Sequence, residues 1–215
     1  MCGSTLQISI NCGLLLMAWF DYRADIPLDN ENFQKIILNL LFLCPVCIKK
    51  KVKKDTASNR KITTYKPVSV QKCDFRSKGI VSNALTTILA QMRRPLKKFG
   101  AYASLKSGEN VEEKVKDIIK TSSAKDIHFE FIVYSLRDDM SDAETIFYYI
   151  RNSFAHGSFE YVPEHKCYLL ESAKDGKIKA QMRLKEATLL KYCDLARINL
   201  ANLKDLQYGK SRKKR

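Results

Sequence analysis

Long apolar runs are missing from this chain. Its most apolar segments are residues 13–20, which are followed by Asp21, and residues 36–48, which contain Asn39 and Pro45. A membrane-spanning helix needs about 20 apolar residues, and a secretory signal follows a basic residue, which the first segment lacks. We therefore expect neither a transmembrane helix nor a signal peptide, and we predict a protein without a membrane partner.

Cysteine-rich patterns and common catalytic motifs are missing as well. The seven cysteines are odd in number and lack the dense spacing of a disulfide-stabilised secreted domain, so we expect reduced thiols in the cytoplasm. The chain has no Gly-rich phosphate loop, no Ser-His-Asp order and no kinase signature, which leaves nucleotide hydrolysis and acyl transfer without support. Cys44 and Cys47 form half of a zinc site, but no second Cys-x-x-Cys pair follows. We interpret both as core or near-surface thiols, with a zinc site or, less favoured, a redox pair as the alternatives, and we predict no metal or cofactor.

Acidic residues are too few to balance the basic ones. The formal net charge is +15, and residues 49–54 and 210–215 each contain five basic side chains. Such a surface attracts polyanions, with RNA or DNA first and anionic membranes second, although a basic run can also be a solvated tail. Seven basic residues and one tyrosine are tentative RNA contacts, the tyrosine because its ring could stack on a base. They are Lys49, Lys50, Lys51, Lys53, Lys54, Arg93, Arg94 and Tyr148.

Apolar spacing predicts several helices and one hairpin. The helices are expected over residues 31–44, 77–91, 110–120 and 184–206. Asp175-Gly176 lies between two apolar runs and is typical of a two-residue β-turn. Residues 127–136 fit either a strand or a buried helix, and residues 50–74 an exposed connection or a flexible hairpin.

These elements together predict a mainly α fold, namely a helical bundle with a small β-hairpin before the C-terminal helix. We expect a single domain over residues 31–207. An irregular lead-in over residues 1–30 precedes it, and a basic tail over residues 208–215 follows.

The best-marked helix carries the one candidate site. Ser141 and Glu144 fit a capping box at its start, and Gly157 marks its end. Near that end, His156 is five residues after Arg151, so the two side chains point about 140° apart on a regular helix. Asn152 and His156 are four residues apart and share a face. For the arginine and histidine to reach one phosphate, the helix must end near His156 or a second subunit must supply one group.

The segment Phe147-Tyr-Tyr-Ile-Arg-Asn-Ser-Phe-Ala-His-Gly157 resembles the active-site motif of the HEPN ribonucleases, in particular a branch first described from bacterial plasmids. The similarity extends over most of residues 31–207. It implies a metal-independent RNA endonuclease that acts through the 2′-OH and leaves a cyclic phosphate. His156 would be the acid or base, Arg151 would hold the phosphate, and Asn152 would orient the histidine or the backbone. The resemblance also implies a homodimer through the helix 142–156 and a toxin or phage-defence effector, with room for a neutralising partner protein.

Three other readings of the same residues stay open. In the first, the chain is a non-catalytic HEPN module that binds RNA or a partner protein. In the second, it is a basic nucleic-acid-binding protein with a zinc-supported element. In the third, the motif is purely structural, with His156 interacting favourably with the helix dipole and Arg151 ion-paired to Glu144 or Asp142.

Overall fold

The computed structural model describes residues 28–50, 63–69, 71, 73–96, 100–106, 108–121 and 129–207. The lysines at 51, 53 and 54, nearly all of the predicted lead-in and the basic tail lie outside these residues. No helix in the described part of the chain is both long and apolar enough to cross a membrane.

Helices and strands alternate along much of the chain. The helices are α1 (Glu31–Ile36, continued as a π-helix over Ile37–Phe42), α2 (Asn83–Arg93), α3 (Val111–Thr121), α4 (Asp142–Ala155), α5 (Glu186–Arg197) and α6 (Leu200–Gln207). The strands are β1 (Cys47–Lys50), β2 (Thr64–Pro67), β3 (Gly100–Leu105), β4 (Glu130–Ser135), β5 (Phe159–Val162), β6 (Cys167–Lys174) and β7 (Lys177–Lys185).

Five of the strands form one mixed sheet in the order β3-β4-β7-β6-β5. Strands β3 and β4 are parallel, and the remaining pairs are antiparallel. A parallel pair needs a crossover connection, which contains α3. Strands β1 and β2 form a separate antiparallel hairpin.

The predicted helical bundle is therefore wrong, because the fold is mixed α/β. Strand β4 is buried at its first five positions, so it lacks the alternation of apolar and polar residues that marks a half-exposed strand. Strands β3 and β5 are only six and four residues long, and every position is half-buried except Leu105. Such short segments pair because of the strands beside them, and they carry little periodic signal of their own.

The sheet is covered on both faces. Ile132 and Tyr134 of β4 belong to the main core, together with apolar side chains of helices α1, α2, α4 and α5. Phe131 and Val133 point to the opposite face and belong to a smaller core formed with α3. Because neighbouring residues of a strand point to opposite faces, β4 contributes to both cores.

Several local predictions are confirmed, and others need correction. The capping box of α4 is present, α3 covers Val111–Thr121, and the Asp175-Gly176 turn joins β6 to β7 with φ of 53° and 70°. Residues 130–135 form a strand. Helix α2 begins at Asn83 rather than near residue 77, and the segment 184–206 is divided between the end of β7, α5 and α6.

The burial of β4 on both faces can be tested by substitution. Phe131→Ala and Ile132→Ala should each lower the free energy of unfolding by about 3 kcal/mol, because each removes a large side chain from a packed core. Urea-induced unfolding followed by circular dichroism measures both. Val81→Ala is the control: this side chain is 42% exposed, and the expected loss is below about 1 kcal/mol. A change below 1 kcal/mol at either core position would mean that one face of β4 is uncovered.

Candidate active site

Helix α4 is held between the sheet and the other helices. Nine of its 14 residues are buried. At its start, the Ser141 hydroxyl accepts a hydrogen bond from the Glu144 backbone N–H at 3.4 Å, and the Glu144 carboxylate accepts one from the Ser141 N–H at 3.1 Å. This capping box and the buried face fix how the helix is rotated, and therefore which side chains reach its surface.

The helix ends at the motif. His156 is the C-cap residue, and Gly157 follows with φ of +67°. The Ser158 N–H donates to the Ser153 carbonyl at 2.9 Å and the Gly157 N–H to the Phe154 carbonyl at 3.3 Å, which together form a Schellman motif. The His156 side chain is exposed at this end. The first of the two conditions for a shared phosphate, a helix that ends near His156, is thus met.

A cleft of about 660 Å³ opens beside this helix end, and both Asn152 and His156 line it. The expectation that these two side chains share a face is confirmed. Arg151 does not line the cleft. Its Nη1 donates to the Asn152 Oδ1 at 3.2 Å, so the arginine reaches the cleft residues through the asparagine.

The ion pair expected for a purely structural Arg151 is not formed. The Glu144 carboxylate takes part in the capping box, and the Asp142 carboxylate pairs instead with the Arg93 guanidinium, 3.7 Å away. Among the described residues, Arg151 has no carboxylate partner, and its buried Nε has no hydrogen-bond acceptor. The guanidinium therefore keeps a positive charge that no described carboxylate balances and that a phosphate could balance.

The sheet supplies the other walls of the cleft. Parallel pairing brings the ends of β3 and β4 to one edge, and the antiparallel pair Tyr134–Ala180 places the β6–β7 turn at the same edge. The charged side chains that these segments contribute are the basic residues Lys106, Arg137, Lys174 and Lys179 and the acidic residues Glu109 and Asp138. Sequence reasoning missed all six, because they come from three separate segments and share no local pattern.

The two tyrosines next to the motif have different environments. Tyr148 lines the cleft, and the Arg137 guanidinium lies over its ring at 4.4 Å. Arg137 is also held by the Asp139 carboxylate, through bonds of 2.9 and 2.6 Å. Tyr149 is buried and donates its hydroxyl to the Ser135 carbonyl at 3.1 Å, and burial raises its pKa. Tyr149 also lines the cleft but is a core residue, whereas Tyr148 is half-buried with one face of its ring against Arg137.

None of the basic residues predicted to contact RNA lines this cleft, as far as the structure describes them. Lys49 and Lys50 are exposed on β1, and Arg94 is exposed after α2. Arg93 is half-buried: it donates to the Tyr102 hydroxyl at 2.7 Å and pairs with Asp142. Its guanidinium is committed to these internal contacts.

The two cysteines of the Cys-x-x-Cys pair lie in the core. Burial raises the pKa of both Cys44 and Cys47 to about 12, and the Asp74 carboxylate beside Cys47 favours the neutral thiol further. Zinc binds the thiolate and needs four ligands. Across the described residues, no three His, Cys, Asp or Glu side chains are placed to hold a metal ion. The interpretation as core thiols fits this environment better than the zinc site.

No protein-family model, curated protein or solved structure matches the chain. The resemblance to HEPN ribonucleases therefore rests on the motif around the end of α4. The mixed sheet is not the helical bundle that we predicted together with that resemblance.

The helix end can be tested at Gly157. Gly157→Ala should lower the free energy of unfolding by about 1 kcal/mol, because its φ of +67° is unfavourable for a residue with a Cβ. A Cβ there would meet no atom within 4 Å, so the expected loss reflects backbone conformation and not a clash. Gly157→Asn is the matched control and should lose less, since asparagine tolerates this conformation. Urea unfolding measures both variants, and an alanine variant as stable as the wild type would contradict the Schellman geometry.

The environment of the thiols predicts slow alkylation. At pH 8, iodoacetamide should leave Cys44 and Cys47 unmodified in the folded protein and modify both in urea, because the thiolate is the reactive form. Mass spectrometry of peptides gives the extent at each site, and the partly exposed Cys73 is the internal control. Rapid modification of either buried thiol contradicts the prediction, and modification that begins only after EDTA is added would indicate bound zinc.

Proposed function

We propose that this protein is a metal-independent RNA endonuclease in which His156 transfers protons. The observation that carries the proposal is the placement of His156, an exposed imidazole at a helix end, in a cleft with four basic and two acidic side chains. Asn152 lines the same cleft and contacts Arg151. The resemblance of the motif to that of HEPN ribonucleases points to the same three residues.

These side chains suit transfer of a phosphodiester to its own 2′-oxygen. A neutral imidazole takes the proton from the 2′-OH, and the oxygen forms a bond to the adjacent phosphorus. The bond to the 5′-oxygen breaks, and that oxygen takes up the proton that the imidazole had removed, so that His156 is neutral again. The products are a 2′,3′-cyclic phosphate and a 5′-OH. DNA has no 2′-OH, so it should bind without being cut.

Arg151 would stabilise the negative charge that collects on the phosphate oxygens. Its guanidinium is always charged and binds a phosphate through two N–H groups. The Asn152 Oδ1 accepts a hydrogen bond from Arg151 Nη1 and thereby holds the arginine near the cleft, while other N–H groups of the guanidinium are left for the phosphate. In this proposal Asn152 is a positioning residue for both Arg151 and His156.

A homodimer through the helix 142–156 is part of the proposal, and the burial of α4 limits which residues it uses. The protomer itself buries the apolar face, which leaves a strip with Tyr148, Arg151, Asn152 and Ala155. Two such strips facing each other would bring the arginine of one copy towards the histidine of the other. The motif resemblance alone supports the further proposal of a cytoplasmic toxin or phage-defence effector restrained by a neutralising partner protein.

The acid–base role of His156 is tested by substitution. His156→Ala should lower the rate of cleavage of a labelled RNA in EDTA by about 10²- to 10⁴-fold, the usual contribution of a general acid or base. His165→Ala is the matched control, since this histidine lies in the turn between β5 and β6 and outside the cleft. Mapping of the product ends should show a cyclic phosphate in the wild type. Arg151→Lys should keep part of the activity that Arg151→Ala loses, because it preserves the charge but not the paired N–H groups.

Two results would overturn the proposal. If EDTA abolishes cleavage by the wild type, the reaction needs a metal ion. If neither the wild type nor His156→Ala cuts any RNA, and both bind it equally, the protein is a binding module without catalysis.

A further inference from the structure

Three lysines from two distant parts of the chain lie around the cleft that contains His156. Lys106 directly follows β3, Lys174 ends β6, and Lys179 belongs to β7 next to the Asp175-Gly176 turn. Lys106 and Lys174 are exposed, and Lys179 is half-buried. The sheet brings them together, since they are up to 73 positions apart in the sequence.

These lysines make the lining of the cleft net positive, with four basic side chains against two acidic ones. Arg137 forms a two-bond ion pair with Asp139 and stacks on Tyr148, so its charge is largely neutralised. The Glu109 carboxylate accepts a hydrogen bond from the Lys106 backbone N–H, and Asp138 is the remaining acidic side chain. Within the described part of the chain, none of the three lysines forms an ion pair.

We propose that this cleft binds single-stranded RNA and that Lys106, Lys174 and Lys179 contact the phosphates next to the scissile one. The inference rests on the proposed function, because His156 defines which phosphate is the scissile one. It assigns RNA binding to residues of the sheet, and not to the basic run that begins at Lys49.

The shape of the cleft favours a single strand over a duplex. Its volume of about 660 Å³ has room for a short stretch of chain, and His156 is one of its lining residues. An A-form duplex presents a wide, rigid surface, and its bases are paired and stacked inside. In a single strand the bases are free to turn towards the stacked pair of Arg137 and Tyr148 in the cleft wall, since both a guanidinium plane and an aromatic ring can stack on a base.

The two described lysines of the basic run, Lys49 and Lys50 on β1, lie outside the lining of the cleft. They belong to the separate two-stranded sheet. Their charge can attract RNA at long range without fixing its position.

The test compares two sets of three lysine substitutions in a His156→Ala background, so that bound RNA stays intact. One variant carries K106Q, K174Q and K179Q; the control carries K116Q, K120Q and K191Q, at exposed lysines of α3 and α5 outside the cleft. Fluorescence anisotropy of a labelled 12-nucleotide single strand gives Kd over a range of salt concentrations. Both variants lose three charges, and equal unfolding temperatures show that both are folded.

We expect the cleft variant to bind at least tenfold more weakly than its parent and the control variant to bind within about twofold. The plot of log K against log salt should become shallower by about 2 for the cleft variant, because each phosphate contact on a single strand contributes about 0.7. A duplex of the same sequence should bind the parent more weakly than the single strand does.

Three outcomes would overturn this inference: equal binding by the two triple variants, a duplex bound as tightly as the single strand, or an equal loss of affinity in a K49Q/K50Q variant. Cleavage assays on the same substitutions with His156 restored separate this inference from the proposed function. If binding needs the three cleft lysines but cleavage does not need His156, the binding site stands and the catalytic role fails. If cleavage needs His156 but the cleft variant binds normally, the catalytic role stands and the binding site fails.

Discussion

The packing of α4 against the five-stranded sheet determines the rest of this structure. Near the end of the helix, the ring of Phe154 contacts those of Phe33, Phe159 and Tyr168, with centroids 6.4, 5.0 and 6.1 Å away. These rings come from α1, β5 and β6, so one cluster ties the helix to both of its neighbouring layers. Burial of aromatic side chains is worth several kcal/mol each, and the cluster therefore sets both the depth and the rotation of α4.

The placement of the candidate active site is a consequence of this packing. Once Phe154 points inwards, Asn152 and His156 must face the edge of the sheet, and Arg151 must lie on another side of the helix. Within one protomer, the hydrogen bond from Arg151 to Asn152 connects the arginine to the cleft. In the proposed homodimer, a second copy facing the exposed strip of α4 would bring its own arginine towards the histidine. Both arrangements use the same rotation of the helix, and both depend on the helix stopping at Gly157.

The cleft depends on the topology of the sheet as much as on α4. Leu105 pairs with Ser135 in the parallel register of β3 and β4, so Lys106 and Arg137 emerge at the same edge. Strand β7 runs antiparallel to β4, and its first residues therefore lie where β4 ends. A mainly helical bundle would offer no such edge. The basic wall of the cleft thus comes from the five-stranded sheet, which the predicted helical bundle did not include.

Interactions between near neighbours could be predicted from the sequence alone. The capping box at Ser141, the turn at Asp175-Gly176, the helix α3 and the shared face of Asn152 and His156 each depend on residues within a few positions of one another, and the structure confirms them. Segment 130–135 could not be assigned, because burial on both faces removes the alternation that distinguishes a strand. Only the tertiary structure decided that β3, β4 and β5 are strands of one sheet, that Arg93 is engaged internally, and that Lys106 lies beside Lys174 and His156. The physical reason is that strand pairing and cleft formation join residues far apart in the chain, and no local pattern records which distant segments will meet.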